Sequence, residues 1–233
     1  MKNSLQHLFY PSQCLHCHDL TSPDSSLLCE ACASLLELIN PEERCPVCFD
    51  LQKSHSTHEC RSCRGQPSLL YRIGAAFDYI GPAATLIKKL KYANQPHLAR
   101  GLAAFLIAQY DQLDWPLPDA FIPVPLSFSH WLERGYNQSS LIAEEMGRLL
   151  GLPVWHALKR RSGDFSQAGL TLAQRKELNG QPFKLRKKYS LQNRTFILID
   201  DVMTSGTTLR KCAECLMEAS PACVYALTVC KTY

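Results

Sequence analysis

The run from Phe196 to Thr208 limits the architecture of this chain more than any other segment. Phe196, Ile197, Leu198 and Ile199 are consecutive bulky apolar residues, the reading of a strand buried on both faces in a parallel sheet covered by helices. Asp200 and Asp201 follow at once. Packing explains two adjacent charges poorly, so they are expected where the strand emerges at its carboxyl end, the edge at which open α/β sheets bind ligands. Next comes a turn of Thr204, Ser205, Gly206, Thr207 and Thr208, leading into a helix. Backbone N–H groups at such a turn and helix start form an anion-binding nest, and the hydroxyls add donors. Carboxylates that accept from the 2- and 3-hydroxyls of a sugar, beside a loop that holds its phosphate, imply a ribose 5-phosphate ligand. The glycine–lysine pattern of a P-loop and the G-x-G-x-x-G of a dinucleotide fold are both missing. A nucleotide-hydrolysing or phospho-acceptor site would account for the acid pair but leave the TSGTT run unexplained.

From Leu69 onward, strand and helix signals alternate, which is how a parallel sheet with crossover helices reads. Strands are expected at 74–79, 120–124, 196–199 and 224–229, and helices at 82–90, 98–110, 139–150 and 207–218. Asn137 is placed to cap the 139–150 helix and Gly151 to end it. The boundary before this region is expected near residues 64–68, giving units of 1–66 and 67–233.

The amino-terminal unit is defined by four C-x-x-C pairs: Cys14/Cys17, Cys29/Cys32, Cys45/Cys48 and Cys60/Cys63. Eleven residues separate the first two pairs and eleven the last two, an internal duplication of spacing. Each pair can wrap a knuckle that sets both sulfurs about 2.3 Å from one zinc ion, so eight cysteines make two closed S₄ sites. A unit of this size with little apolar core would draw its folding free energy from the metal, and four thiolates leave no open position for catalysis. Equal spacing within each half favours sequential pairing, with interleaved pairing the alternative. His16, His18, His55 and His58 lie nearby as bystanders rather than ligands. A redox dithiol or a disulfide scaffold fits four regular pairs less well. The later cysteines, Cys212, Cys215, Cys223 and Cys230, are read as small apolar packing groups rather than a third zinc site.

The net charge of +4 is uneven. Residues 1–66 carry five basic and eight acidic side chains, whereas residues 158–194 hold ten basic and two acidic. That basic segment suits a polyphosphate or a nucleic-acid backbone, or is a solvated loop face. Its aromatic content, Phe165, Phe183 and Tyr189, is thin for base stacking. No stretch approaches the roughly 18 apolar residues of a membrane span, and the first residues lack the apolar region of a signal peptide. No membrane insertion and a cytoplasmic location are therefore expected.

The run ILIDDVMTSGTT resembles the motif by which type I phosphoribosyltransferases bind phosphoribosyl pyrophosphate (PRPP). Together with IKKLKYANQPHLARGLAAFL, IPVPLSFSHWLERGYNQSSLIAEEM, LKRRSGDFSQAGLTLAQRKELNG and the cysteine-rich start, it makes nearly the whole chain similar to the ComF (GntX) family. The resemblance implies an α/β fold: a type I phosphoribosyltransferase-like parallel sheet flanked by helices, with a small N-terminal double zinc-ribbon domain. It implies that Asp200 and Asp201 serve the ribose, that Arg134, Gly135, Asn137 and Gln138 form the pyrophosphate loop, and that Val202, Thr204, Ser205, Gly206, Thr207 and Thr208 bind phosphate. Arginine suits a pyrophosphate because its fork makes two charge-assisted bonds. It implies further that Arg161, Gln167, Gly169 and Arg175 belong to a mobile lid. Lys91 is carried over because the resembling motif includes KY; on a helix, a lysine is otherwise a solvated cation. Structural zinc and PRPP-associated magnesium are the implied metals, magnesium matching oxygen-rich ligands. The implied reaction is displacement of pyrophosphate at C1 of the ribose by an incoming nitrogen, with no general base identified. The family's association with competence and DNA uptake implies a role in handling imported single-stranded DNA. Three functions follow for test: a phosphoribosyltransferase, an adaptor of DNA uptake that binds single strands and retains the PRPP pocket, and a metal-dependent regulator.

Overall fold

The computed structural model describes residues 12–21, 27–52, 60, 63–64, 68–161 and 181–232. Its centre is a four-stranded sheet in the order β1–β6–β5–β2, formed by Ile73–Asp78 (β1), Ala120–Pro123 (β2), Thr195–Met203 (β5) and Cys223–Lys231 (β6). All three ladders are parallel. Parallel neighbours need crossovers, and helices supply them.

Alternation along the strands divides the core into two. Ile197 and Ile199 of β5, with Tyr225 and Leu227 of β6, face α1 (Gly81–Tyr92), α2 (Leu98–Gln112) and α4 (Gln138–Leu150). Phe196 and Leu198, with Val224 and Ala226, face α5 (Thr207–Met217) and a hairpin of Leu158–Arg160 (β3) and Phe183–Leu185 (β4). Burying an apolar side chain of this size stabilises by about 1.5–3 kcal/mol, so a strand filled on both faces anchors the fold. Cys212 and Cys215 are fully buried on the sheet-facing side of α5, where burial lifts the Cys215 thiol to about 11 and keeps it protonated.

Helix ends follow local chemistry. The Asn137 side chain accepts from the N–H of Ser139 at 3.1 Å, capping α4, and Gly151 closes it at φ 68°. Gly135 likewise ends α3 (Phe128–Arg134) in the left-handed region, φ 77°, its N–H bonded to the Trp131 carbonyl. Glycine adopts such a φ at no steric cost.

Three features depart from the expected elements. The strand expected at 196–199 continues to Met203 because β6 pairs with it residue by residue out to Lys231. Asp200 and Asp201 therefore lie within the strand and not beyond its end. Helix α3 is not among the expected helices: its apolar Phe128, Trp131 and Leu132 fall at i, i+3 and i+4, but in seven residues this is too short a pattern to mark a helix, and all three are exposed. Strands β3 and β4 have three residues each, too few to display a period.

The cysteine knuckles dock on the sheet and its helices. Cys14, Leu28 and Cys32 join the core beneath α1, and His16 Nδ1 lies 2.9 Å from Thr85 Oγ1. The second knuckle packs Phe49 and Ile39 on Ala75 of β1. Arg44 Nη2 donates to both carboxylate oxygens of Asp78, at 3.2 Å to Oδ1 and 3.0 Å to Oδ2, and Lys231 at the end of β6 pairs with Asp50.

Candidate functional site

The acid pair sits in β5 with its two carboxylates held from different helices. Asp200 Oδ1 accepts from the hydroxyl of Ser139, in the first turn of α4, at 2.9 Å, and from the N–H of Asp201, also at 2.9 Å. Asp201 Oδ1 lies 2.8 Å from Lys91 Nζ, near the end of α1. Burial pushes the Asp200 carboxyl up to about 7, and the neighbouring Asp201 charge adds to the rise; Ser139, the Asp201 N–H and Lys91 oppose it. The carboxylates are thus fixed acceptors, one compensated by an ammonium and the other by neutral donors. Val202, the next residue, is half-buried against the α1 side of the sheet.

After Met203 the chain turns through Thr204, Ser205 and Gly206 into α5. Gly206 stands at the N-cap with φ 70° and offers no side-chain acceptor, so the first amides of the helix point outward unbonded by a cap. Thr204, Ser205, Thr207 and Thr208 are exposed, and Ser205 Oγ lies 2.9 Å from Thr207 Oγ1. Aligned amides, the helix dipole and adjacent hydroxyls suit a phosphate.

Arg134, Gly135, Asn137 and Gln138 are brought to the junction of α3 and α4, immediately before Ser139. Arg134 Nη1 donates to Gln138 Oε1 at 3.2 Å, and its guanidinium lies over the Tyr92 ring, 5.1 Å from the centroid. Asn137 also donates to the Val124 carbonyl at 2.9 Å, tying this turn to the end of β2. Two buried donors here, Arg134 Nε and Gln138 Nε2, have no acceptor among the described residues. A buried unsatisfied donor costs about 1–3 kcal/mol, which an acceptor-rich ligand would recover. Oxygen donors from the acid pair also fit the preference of magnesium for hard ligands.

Of the expected lid, Arg161 is described and exposed: its N–H bonds the Pro182 carbonyl and its Nε the Phe183 carbonyl. Gln167, Gly169 and Arg175 lie outside the described residues. Lys88 is exposed on α1, whereas Lys91 reaches Asp201. Ser139 was missed by the sequence reading; the available signal was a hydroxyl in the first turn of a helix that follows the expected pyrophosphate loop.

In the amino-terminal region the ligand-type sulfurs form two groups, Cys14, Cys17, Cys29 and Cys32, and Cys45, Cys48, Cys60 and Cys63, each with its sulfurs within 4.8 Å of one another. The pairing is sequential. Backbone amides of His16 and Cys60 approach the sulfurs of Cys14 and Cys45 at 3.4 Å, as expected for thiolates held in knuckles. Each group can hold a zinc ion.

Competence protein F of Haemophilus influenzae is 30% identical to this chain over 215 residues, covering 89% of this chain and 92% of the relative. The chain belongs to the ComF family. A second relative, the DNA utilization protein YhgH of Salmonella typhi, is 29% identical and covers 88% of this ComF-family chain and 90% of its own length. The family model for a phosphoribosyl transferase domain matches residues 137–232, which span the Asn137 cap, Ser139, the acid pair and the turn from Thr204 to Gly206. Among solved structures, the glutamine PRPP amidotransferase of B. subtilis aligns with a TM-score of 0.42 and 18% identity, over 61% of this ComF-family chain and 30% of that protein. This ComF-family chain is an α/β parallel sheet flanked by helices, preceded by two four-cysteine groups. Among the described residues no helix is long and apolar enough to cross a membrane.

Proposed function

We propose that this protein binds PRPP, or a related ribose 5-phosphate compound, and transfers the phosphoribosyl group to a nitrogen acceptor in the service of natural competence. One observation carries the reading: two carboxylates fixed by Ser139 and Lys91 stand a few residues before an amide-rich turn without a side-chain cap. In this reading Asp200 and Asp201 accept from the ribose 2- and 3-hydroxyls, while Val202, Thr204, Ser205, Gly206, Thr207 and Thr208 enclose the 5-phosphate. Arg134, Gly135, Asn137 and Gln138 bind the pyrophosphate, and the spare Arg134 Nε and Gln138 Nε2 donors are aimed at its oxygens. Lys91 balances the charge of Asp201 and adds a cation at the same mouth. Arg161 is the described member of the lid read from the sequence; Gln167, Gly169 and Arg175 lie outside the described residues. Magnesium bound with PRPP supplies neutralisation of the departing pyrophosphate charge.

Residues 1–66 act as a zinc-ribbon unit and residues 67–233 as the ligand-binding unit of one cytoplasmic protein. The names of the relatives, competence protein F and DNA utilization protein, support a place in DNA uptake. The test is pyrophosphate release from PRPP with magnesium and a panel of nitrogen bases, Asp201→Asn serving as control. Release that depends on one base and is lost in the variant supports transfer; no release with any acceptor removes the catalytic half of the reading.

A second reading, a single-stranded-DNA-binding adaptor that retains the pocket, is favoured by the hairpin. Between Ala157 and Arg194 the described residues hold eight Lys or Arg and no Asp or Glu, and none of the eight is ion-paired with a described carboxylate. Arg194 lies 5.1 Å over the ring of Trp155, which stacks on Tyr189 at 5.3 Å. Cations without carboxylate partners favour a polyanion, and phosphate contacts give a steep salt dependence. Oligonucleotide titration at several salt concentrations tests this: undetectable binding at low salt contradicts the adaptor.

A further inference from the structure

The second cysteine group is fastened to the carboxyl edge of the sheet, the edge from which the turn after the acid pair departs. Arg44 immediately precedes the first cysteine of this group, Cys45, and Asp50 stands two residues after Cys48. Both charged side chains reach out of the knuckle: Arg44 Nη2 donates to the Asp78 carboxylate at the end of β1, and Asp50 accepts from Lys231 Nζ at the end of β6. Asp78 and Lys231 are register partners across the β1–β6 ladder, so two ion pairs of opposite polarity clasp adjacent strand ends. Between these contacts the knuckle closes on itself, the Cys45 N–H bonding the Asp50 carbonyl at 2.8 Å and the Phe49 N–H the Cys45 carbonyl at 2.9 Å. A metal held by Cys45 and Cys48 therefore fixes where Arg44 and Asp50 stand.

Lys231 carries the clasp to the site. Its side chain is 5% exposed, against 50% for Asp50, and a lysine this buried requires a partner. It is the register partner of Met203, the last residue of β5, and the N–H of the next residue, Thr232, bonds the Met203 carbonyl at 2.9 Å. Thr204, Ser205 and Gly206 follow directly. An ammonium left unpaired at this depth regains water by loosening the end of β6, and with it the rung that holds Met203. The first cysteine group has no such route. Its knuckle packs Cys14, Leu28 and Cys32 on the core and meets Thr85 of α1 through His16, but among the described residues no ion pair joins it to the sheet.

We propose that the second four-cysteine group is a zinc-dependent clamp on the turn from Thr204 to Gly206, acting through Asp50 and Lys231, so that metal at this group and ligand at the turn strengthen each other's binding. The proposal rests on the ribose 5-phosphate reading for the identity of the ligand; the clamp itself rests on the strand-end contacts. Lys231 is a positioning residue that acts through Met203. Coupling between two sites is reciprocal and is commonly about 5–150-fold.

Amide hydrogen exchange of the full-length, zinc-loaded protein reads the clamp, and calorimetry with ribose 5-phosphate reads its consequence. Asp50→Asn keeps all eight cysteines and both zinc ions, yet exchange over residues 203–206 should quicken and ribose 5-phosphate affinity fall at least about fivefold. Cys48→Ser with Cys63→Ser should act in the same direction by removing the metal, whereas Cys17→Ser with Cys32→Ser should change either readout by less than about twofold, the coupling being absent. In a chelator titration, ribose 5-phosphate should tighten zinc at the second group by the same factor that zinc tightens the sugar phosphate, and Lys231→Met should abolish that reciprocity. Unchanged exchange and affinity in Asp50→Asn, or an equal loss on emptying the first group, overturns the clamp, while binding of ribose 5-phosphate to the parent keeps the acid-pair reading. Quickened exchange in a protein that binds no ribose 5-phosphate keeps the clamp and removes that reading.

Discussion

Lys91 Nζ lies 2.8 Å from Asp201 Oδ1, joining the end of α1 to the interior of β5. The two side chains are only 17% and 10% exposed, so each is the other's main compensation. The contact places a cation at the mouth of the site and explains how an aspartate can sit within a buried strand.

Replacing Lys91 with methionine removes that compensation and leaves Asp201 charged and largely buried. Breaking a buried pair from one side costs about 3–5 kcal/mol; with some solvent reaching both groups, the lower end, about 3 kcal/mol, is the expected ceiling. Denaturant unfolding at pH 7 measures it. Asp201→Asn should cost less, since the freed lysine can extend its ammonium toward water.

Asp200 gives a pH dependence with a defined sign. Its carboxyl is raised to about 7 by burial, then by Asp201, against the opposing Ser139, Asp201 N–H and Lys91. A raised acid binds more protons folded than unfolded, so its stabilising share is complete below the ordinary carboxylate range and is lost as pH rises toward about 7. The difference in unfolding free energy between Asp200→Asn and the parent should therefore shift in favour of the variant as pH climbs from about 4 to about 7. Ligand binding runs the other way: the ionised carboxylate is the better acceptor for a ribose hydroxyl, so affinity for ribose 5-phosphate should increase through the same interval and lose that increase in Asp200→Asn.

Gly206 tests the turn proposed to hold the phosphate. Its φ of 70° is costly for any residue with a Cβ, while an added Cβ would meet Met203 Sδ only at an ordinary 3.6 Å. Gly206→Ala should therefore destabilise through the backbone alone, by about 1–2 kcal/mol, and weaken ribose 5-phosphate binding by distorting the amides that precede α5.

The cysteine grouping predicts a pattern of metal loss. The parent should carry two zinc ions per chain, one for each four-cysteine group. Cys17→Ser with Cys32→Ser damages a single group and should leave about one ion, whereas Cys17→Ser with Cys48→Ser damages both and should leave well under one. Interleaved ligation would reverse the result for a pair drawn from Cys17 and Cys48. Elemental analysis of desalted protein reads the outcome.

The sequence made the central strands and helices legible where burial was two-sided or capped. Residues 196–199 declared β5 because both faces are filled, and Asn137 and Gly151 marked the ends of α4 by capping chemistry. It erred on Asp200 and Asp201 because local charge implies an exit from the sheet, whereas Ser139 and Lys91, distant in sequence, hold them inside it. Helix α3 escaped detection because its seven residues are too short to display a period, although Phe128, Trp131 and Leu132 fall at i, i+3 and i+4. The docking of the second knuckle through Arg44–Asp78 and Lys231–Asp50 was equally hidden, because pairings across the chain leave no periodic mark.

Isothermal titration of the intact protein with ribose 5-phosphate addresses the joint action of acid pair and turn most directly. Saturable one-to-one binding in the parent, reduced at least about tenfold in Asp201→Asn and again in Gly206→Ala, is the expected result, since each variant removes a charge-assisted contact or misaligns several amides. Undiminished binding in both variants, or no heat of binding in a folded, zinc-loaded parent, would contradict a sugar phosphate held between β5 and the start of α5.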